Sequence, residues 1–149
     1  MKKSAIVWGI ILFSFLNAMP PPIPSLYLDD AYKAYKAHRY KEAFKLYSDA
    51  VAAIEYSDDK RDNFKALYNL ALFYDKGIGV KKDKVKAALY YYKAYVIFQD
   101  DIYNDTHICK DPFVPYYRWT LERLYAFEKN YIYDNKARYL KRECGRHKE

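Results

Sequence analysis

The chain has 149 residues, nineteen of them tyrosine, and a formal charge of +7 at neutral pH. That length allows one domain with a modest core. The basic and acidic residues are interspersed, so no nucleic-acid partner is expected. Two cysteines without a Cys-x-x-Cys spacing exclude a thioredoxin-type redox motif.

Lys2 and Lys3 precede an apolar, uncharged run from Ala5 to Leu16, and Leu16-Asn17-Ala18 ends it with a small residue. This is the layout of a secretory signal peptide over residues 1–18, cut after Ala18. The run is well short of the ~20 residues a spanning helix needs. An uncleaved anchor remains the alternative, since Leu16 is a less usual residue than Ala two before the cut. No Cys follows the run, so a lipoprotein has no acceptor for its lipid. Removing Lys2 and Lys3 from +7 leaves a mature charge of +5. Residues 19–25, with Pro20, Pro21, Pro22 and Pro24, read as an extended tether, because proline fixes φ and donates no backbone N–H.

Helical periodicity then takes over, in one domain spanning 26–149. Leu28, Ala31, Tyr32 and Tyr35 share a face at i, i+3, i+4, i+7. After a break at His38-Arg39, Tyr40, Ala43, Phe44, Tyr47, Ala50, Val51 and Ile54 continue a second helix. Ser57-Asp58-Asp59 can cap a third over 61–76, which Gly77 and Gly79 stop. Asp83 can cap a fourth over 84–98. Residues 100–111 form a polar loop, and Asp111-Pro112 opens a fifth helix with Pro112 in its first turn. Asn130 or Asp134 marks the last break, before a helix ending near Cys144-Gly145. The reading is all-α: six helices in three antiparallel hairpins, stacked as a short α/α superhelix. An internal repeat supports it. Ala43, Tyr47 and Ala50 recur as Ala87, Tyr91 and Ala94, while Ala31 and Ala71 correspond in the preceding helices.

The run Ala66-Leu67-Tyr68-Asn69-Leu70-Ala71-Leu72-Phe73-Tyr74-Asp75-Lys76-Gly77-Ile78-Gly79-Val80, followed by Asp83, Lys86-Ala87 and Tyr91-Tyr92-Lys93-Ala94, resembles a Sel1-like repeat. It departs from that pattern at Ala71, where glycine is usual. The unit over 61–98 carries the resemblance. The pair over 28–56 looks like a tetratricopeptide repeat, and the pair over 112–145 is diverged, with Leu121 and Tyr125 echoing Leu70 and Tyr74. The resemblance implies an exported bacterial member of this family, a protein–protein interaction scaffold within an envelope assembly such as motility, secretion or wall-building machinery. Its partners would then be other envelope proteins, with room for peripheral membrane contact and for oligomerisation in a larger complex. If tetratricopeptide geometry carries over, first-helix residues face the groove, which makes Tyr32, Lys36, Tyr68 and Asp75 candidate partner contacts.

In an exported chain an even cysteine count favours a disulfide. Cys109 lies just before the fifth helix and Cys144 at the end of the sixth, and an antiparallel hairpin makes those places neighbours. A Cys109–Cys144 bond would stabilise the terminal pair by about 3–4 kcal/mol. No catalytic, cofactor or metal site is expected. His38, His107 and His147 have no second ligand at i+3 or i+4, and a disulfide-bonded Cys109 cannot act as a nucleophile beside His107. The loop with Asp100, Asp101, Asn104, Asp105 and Asp111 lacks the spacing of a calcium loop. Lys81, Lys82, Lys84 and Lys86 form a basic cluster: a solvated face, or a contact for anionic lipid or a partner.

Tyrosine exceeds what the core stripes need. Tyr32, Tyr68, Tyr90, Tyr92, Tyr95, Tyr103, Tyr116, Tyr131 and Tyr133 do not all fall on them, and tyrosine offers recognition area with a polar tip. The alternative function is a β-lactamase-like hydrolase or β-lactam-binding protein, implied by a cysteine-rich branch of exported Sel1-like proteins. That branch pairs cysteines in every repeat. This chain has a single pair and no Ser-x-x-Lys motif.

Overall fold

A computed structural model describes residues 22–104 and 108–145. The signal-peptide segment, Met19 to Pro21, Asp105, His107 and His147 lie outside the described residues. Six helices carry the architecture: α1 (Ser25–Lys36), α2 (Tyr40–Ala52), α3 (Lys60–Lys76), α4 (Lys84–Phe98), α5 (Val114–Glu128) and α6 (Tyr131–Gly145). Short helical turns at Ile54–Tyr56, Asp101–Asn104 and Ile108–Lys110 fill the connections, and there is no strand among the described residues. The contacts run α1 on α2, α3 on α4 and α5 on α6, with α2 on α3, α4 on α5 and α1 on α3 joining the hairpins. The fold is an all-α superhelix of three hairpins.

Local sequence accounts for most boundaries. The Asp59 carboxylate accepts from the N–H groups of Arg61 and Asp62 at 2.9 and 3.0 Å and starts α3. Gly77, at φ 73°, ends it in the left-handed conformation and donates its N–H to the Phe73 carbonyl. Asp83 accepts from the Lys86 N–H at 3.0 Å and starts α4. Gly79 has a second reason to be glycine. Its φ is 66°, and a Cβ there would run into the Tyr40 carbonyl at the start of α2. The α3–α4 turn therefore presses directly on the first hairpin.

Two boundaries differ from the sequence reading, and at a third the structure selects between two residues that reading left open. Helix α1 begins at Ser25 with Pro24 already buried and in helical backbone, so the end of the proline-rich segment belongs to the domain and not to a tether. Helix α5 begins at Val114, so Pro115 and not Pro112 occupies its first turn. The Asp111 carboxylate accepts from the Phe113 N–H at 2.8 Å, closing a side-chain turn around Pro112 that delays the helix. Between Asn130 and Asp134, it is Asn130 whose side chain receives the first free N–H, from Ile132 at 3.0 Å.

The core falls into two clusters, one on each side of the middle hairpin. Leu28, Ala31, Ala34, Ala43, Tyr47, Ala50, Leu70 and Phe73 fill the first. Phe64, Leu67, Ala71, Tyr91, Phe98, Tyr117, Leu121, Leu124 and Leu140 belong to the second. The repeated positions behave alike: Ala43 and Ala87, Tyr47 and Tyr91, and Ala50 and Ala94 are all buried. Small residues bring the helices close and the tyrosine fills the space between them. Tyr32 and Tyr35 leave the expected stripe of α1 and are exposed. Among the described residues α1 packs chiefly on α2 and α3, and Leu28, Ala31 and Ala34 are its buried positions.

Candidate partner-binding groove

The first helices of the three hairpins, α1, α3 and α5, contribute to one groove of about 710 Å³. Asp29 and Tyr32 come from α1, Lys65, Tyr68 and Asn69 from α3, and Phe113 and Tyr116 from the start of α5. Tyr68 also lines an adjoining depression of about 500 Å³ with Trp119, Glu122 and Arg123 of α5. The two hollows therefore meet at one ring.

The aromatic side chains form a continuous series. Tyr68 meets Tyr116 edge to face at 5.6 Å between centroids, and Tyr116 meets Trp119 in the same way at 5.4 Å. Phe113 lies 5.8 Å from Tyr116. Edge-to-face contacts use the opposed charge of ring faces and rims, so the rings hold one another in place. Polar groups along the groove are largely paired. Lys65 bonds Asp62 at 2.8 Å and sits 5.4 Å over the Phe113 ring, and the Asn69 amide donates to the Lys65 carbonyl at 2.8 Å. Burial raises the Tyr68 phenol above its usual range, with Tyr116 adding to the rise and Arg123 opposing it. Tyr47, at the groove floor, is pushed up to about 12 by burial, with Tyr35 and Tyr32 adding to the rise. Both stay neutral phenols at physiological pH and can donate a hydrogen bond.

The four sequence-selected contacts separate. Tyr32, 57% exposed, and the half-buried Tyr68 face the groove on neighbouring helices. Lys36 is exposed one turn beyond Tyr32 and does not line it. Asp75 is a correction: it is buried, with its carboxylate 3.4 Å from the Arg123 guanidinium of α5. It joins the second hairpin to the third and offers no free surface. The sequence reading missed Phe113, Trp119 and Arg123 as groove residues. Their helix lacks the repeat signature, and only the surplus of tyrosine pointed there, through Tyr116.

Cys109 and Cys144 are joined in a disulfide with Cα atoms 4.8 Å apart, tying the turn before α5 to the end of α6. Neither sulfur is free to attack a substrate. No group of three or more His, Cys, Asp or Glu side chains is placed to hold a metal among the described residues. No helix among them is long and apolar enough to cross a membrane. A cysteine pair joined in this way is compatible with an oxidising compartment.

No protein-family model matches the chain, and no curated protein or solved structure matches it.

Proposed function

We propose that this chain is a non-catalytic interaction scaffold of the Sel1-like kind, exported to an oxidising envelope compartment, that holds a segment of another envelope protein in the α1–α3–α5 groove. The observation that carries the reading is the aromatic series Tyr68, Phe113, Tyr116 and Trp119, continued by Tyr32 across the groove. Rigid rings with polar tips give large contact area at little cost in side-chain entropy, which is why tyrosine and tryptophan concentrate at protein interfaces. A groove that crosses three helices also presents a long surface, suited to an extended peptide and not to a compact metabolite.

The test is photo-crosslinking in the native envelope from a benzoylphenylalanine placed at Tyr32 or Tyr116, with the captured protein identified by mass. One specific envelope protein is expected. Tyr68→Ala and Trp119→Ala should each weaken its binding by about 1–2 kcal/mol, the usual range for an aromatic contact in an interface. Crosslinks to no specific protein, or binding unchanged in both variants, would overturn the reading.

A further inference from the structure

The outer side of α4 is apolar where a repeat helix facing solvent should be polar. Its inner residues Ala87, Tyr91, Ala94, Tyr95 and Phe98 are buried. On the opposite side Val85, Leu89, Tyr92 and Val96 are exposed, Val85 at 81%. Their spacing of four, three and four residues sets them in a single line along the helix. A helix that is apolar on both sides has more apolar surface than the protein around it covers.

The charge beside that line is of one sign. Lys84, Lys86 and Lys93 are the only charged residues of α4, and Lys81 and Lys82 are exposed in the turn leading into it. At 100° per residue, Lys86 and Lys93 flank the line on one side and Lys84 on the other. Lys136 of α6 also reaches α4, bonding the Tyr95 hydroxyl at 2.8 Å. Asp83, just before the helix, caps it through one carboxylate oxygen and stands 4.0 Å from the exposed Lys86 ammonium with the other, an exposed pair that headgroups can displace.

This pattern discriminates among occupants. A second copy would set lysine against lysine along the same seam. A protein knob needs a hollow to enter, and neither the groove nor its adjoining depression takes a residue from α4. A plane that is negative at its surface and apolar beneath meets every feature. The apolar line enters it, and the lysines extend their stems and leave their charges among the headgroups.

We propose that the outer face of α4 docks the domain on an anionic lipid surface. Val85, Leu89, Tyr92 and Val96 enter the boundary between headgroups and acyl chains, and Lys84, Lys86 and Lys93 sit on anionic headgroups. This proposal is independent of what occupies the groove, which lies on other helices.

The experiment uses the full chain as recovered after expression, with its N-terminal processing and its disulfide read by intact mass. Val85→Cys carries an environment-sensitive dye, and vesicles are either phosphatidylcholine alone or an equimolar mixture with phosphatidylglycerol. The dye emission should shift to the blue and strengthen with the mixed vesicles only. Adding Leu89→Asp should weaken association about tenfold. Replacing Lys84, Lys86 and Lys93 by Gln should weaken it about a hundredfold, each lysine near the surface accounting for about fivefold. All variants lie on exposed positions, and their circular dichroism should match the parent. No dye response, an equal response to neutral vesicles, or binding indifferent to Leu89→Asp would overturn the proposal. So would a dimer in sedimentation, or capture of an acidic helical protein, that Leu89→Asp abolishes while vesicles remain without effect.

Discussion

The hairpin α3–α4 has a neighbour on each side, α2 before it and α5 after it, whereas among the described residues α5–α6 packs chiefly on α4. Their ends differ accordingly. The middle hairpin is bounded by local devices: Asp59 and Asp83 cap its helices, and Gly77 and Gly79 supply the left-handed turn between them. In the last hairpin α5 starts from Phe113 with no side-chain cap, and the α5–α6 turn puts Lys129 at φ 56°, a conformation that glycine adopts more readily. The last hairpin carries a covalent bond in addition. The Cys109–Cys144 disulfide closes α6 back onto the turn that leads into α5. Among the described residues, the middle hairpin is thus held by packing and caps, and the last one carries a cross-link as well.

The largest effect should come from the centre of the flanked hairpin. Tyr91 is fully buried between the second and third hairpins, within 5.9 Å of Tyr68 and 6.3 Å of Phe127. Tyr91→Ala should cost about 3–5 kcal/mol, the range for deleting a buried aromatic ring, read as a fall in the urea midpoint. A loss well under ~1 kcal/mol would mean that the second core cluster does not depend on this ring. Cys109→Ser with Cys144→Ser should cost nearly as much, about 3–4 kcal/mol, and should act on the last hairpin first. Amide exchange resolves this: α5 and α6 should lose protection while α1 and α2 keep theirs. Uniform loss would show that all three hairpins unfold as one unit, and the contrast between middle and end would then disappear.

The same contrast explains what could be read from sequence. Helices α3 and α4 were legible because their signals are local: an acidic residue one turn before an apolar run, a Gly-x-Gly turn, and alanines at the places where helices touch. The cysteine pairing was legible for a topological reason, since antiparallel helices of equal length bring their far ends together. Asp75 was misplaced because helical periodicity assigns a residue to a face but does not say which neighbour will cover it. Here Arg123, 48 positions later, does so. Tyr116, Trp119 and Phe113 stand on a helix whose repeat pattern has decayed, so their convergence on Tyr68 exists only in three dimensions. The exposed line on α4 was hidden for the opposite reason. In sequence Val85, Leu89 and Val96 look like ordinary core.

Alkaline pH probes both interfaces together. Tyr47, between the first and second hairpins, has its phenol pushed up to about 12, chiefly by burial. Tyr91 and Tyr117, between the second and third, are raised for the same first reason, with Asp75 and Asp111 respectively adding to it. A raised acid holds its proton more tightly in the folded state than in the unfolded one. The associated stability is therefore complete below the unfolded value near pH ~10 and is lost as the pH rises toward the folded-state values. The urea midpoint should be flat from neutral pH to about 9 and then fall, with about 2 kcal/mol attributable to Tyr47 alone. Tyr47→Phe should remove part of that fall. A midpoint that stays level through pH ~11 would contradict buried phenols at these seams.

The smallest effect is the sharpest test of the comparison. Lys129 is one of two non-glycine residues with positive φ among the described residues, at the place in the last hairpin where the middle one has Gly77. Both residues donate their N–H groups at 2.8 Å to a carbonyl four positions back, Lys129 to Tyr125 and Gly77 to Phe73, so the two turns begin with the same bond. The side chain distinguishes them, since Lys129 sets its ammonium 5.3 Å over the Tyr125 ring. Relief of the left-handed strain is worth about 1.5 kcal/mol, the exposed cation–π contact gives back about 0.5 kcal/mol, and the freedom of glycine in the unfolded chain takes about 0.5 kcal/mol more. Lys129→Gly should therefore stabilise the chain by about 0.5 kcal/mol, after the added freedom of glycine in the unfolded state is counted. The gain should be larger in the Cys109→Ser, Cys144→Ser background, where the turn alone closes the hairpin. An equal gain in both backgrounds would mean that the turn and the disulfide act independently.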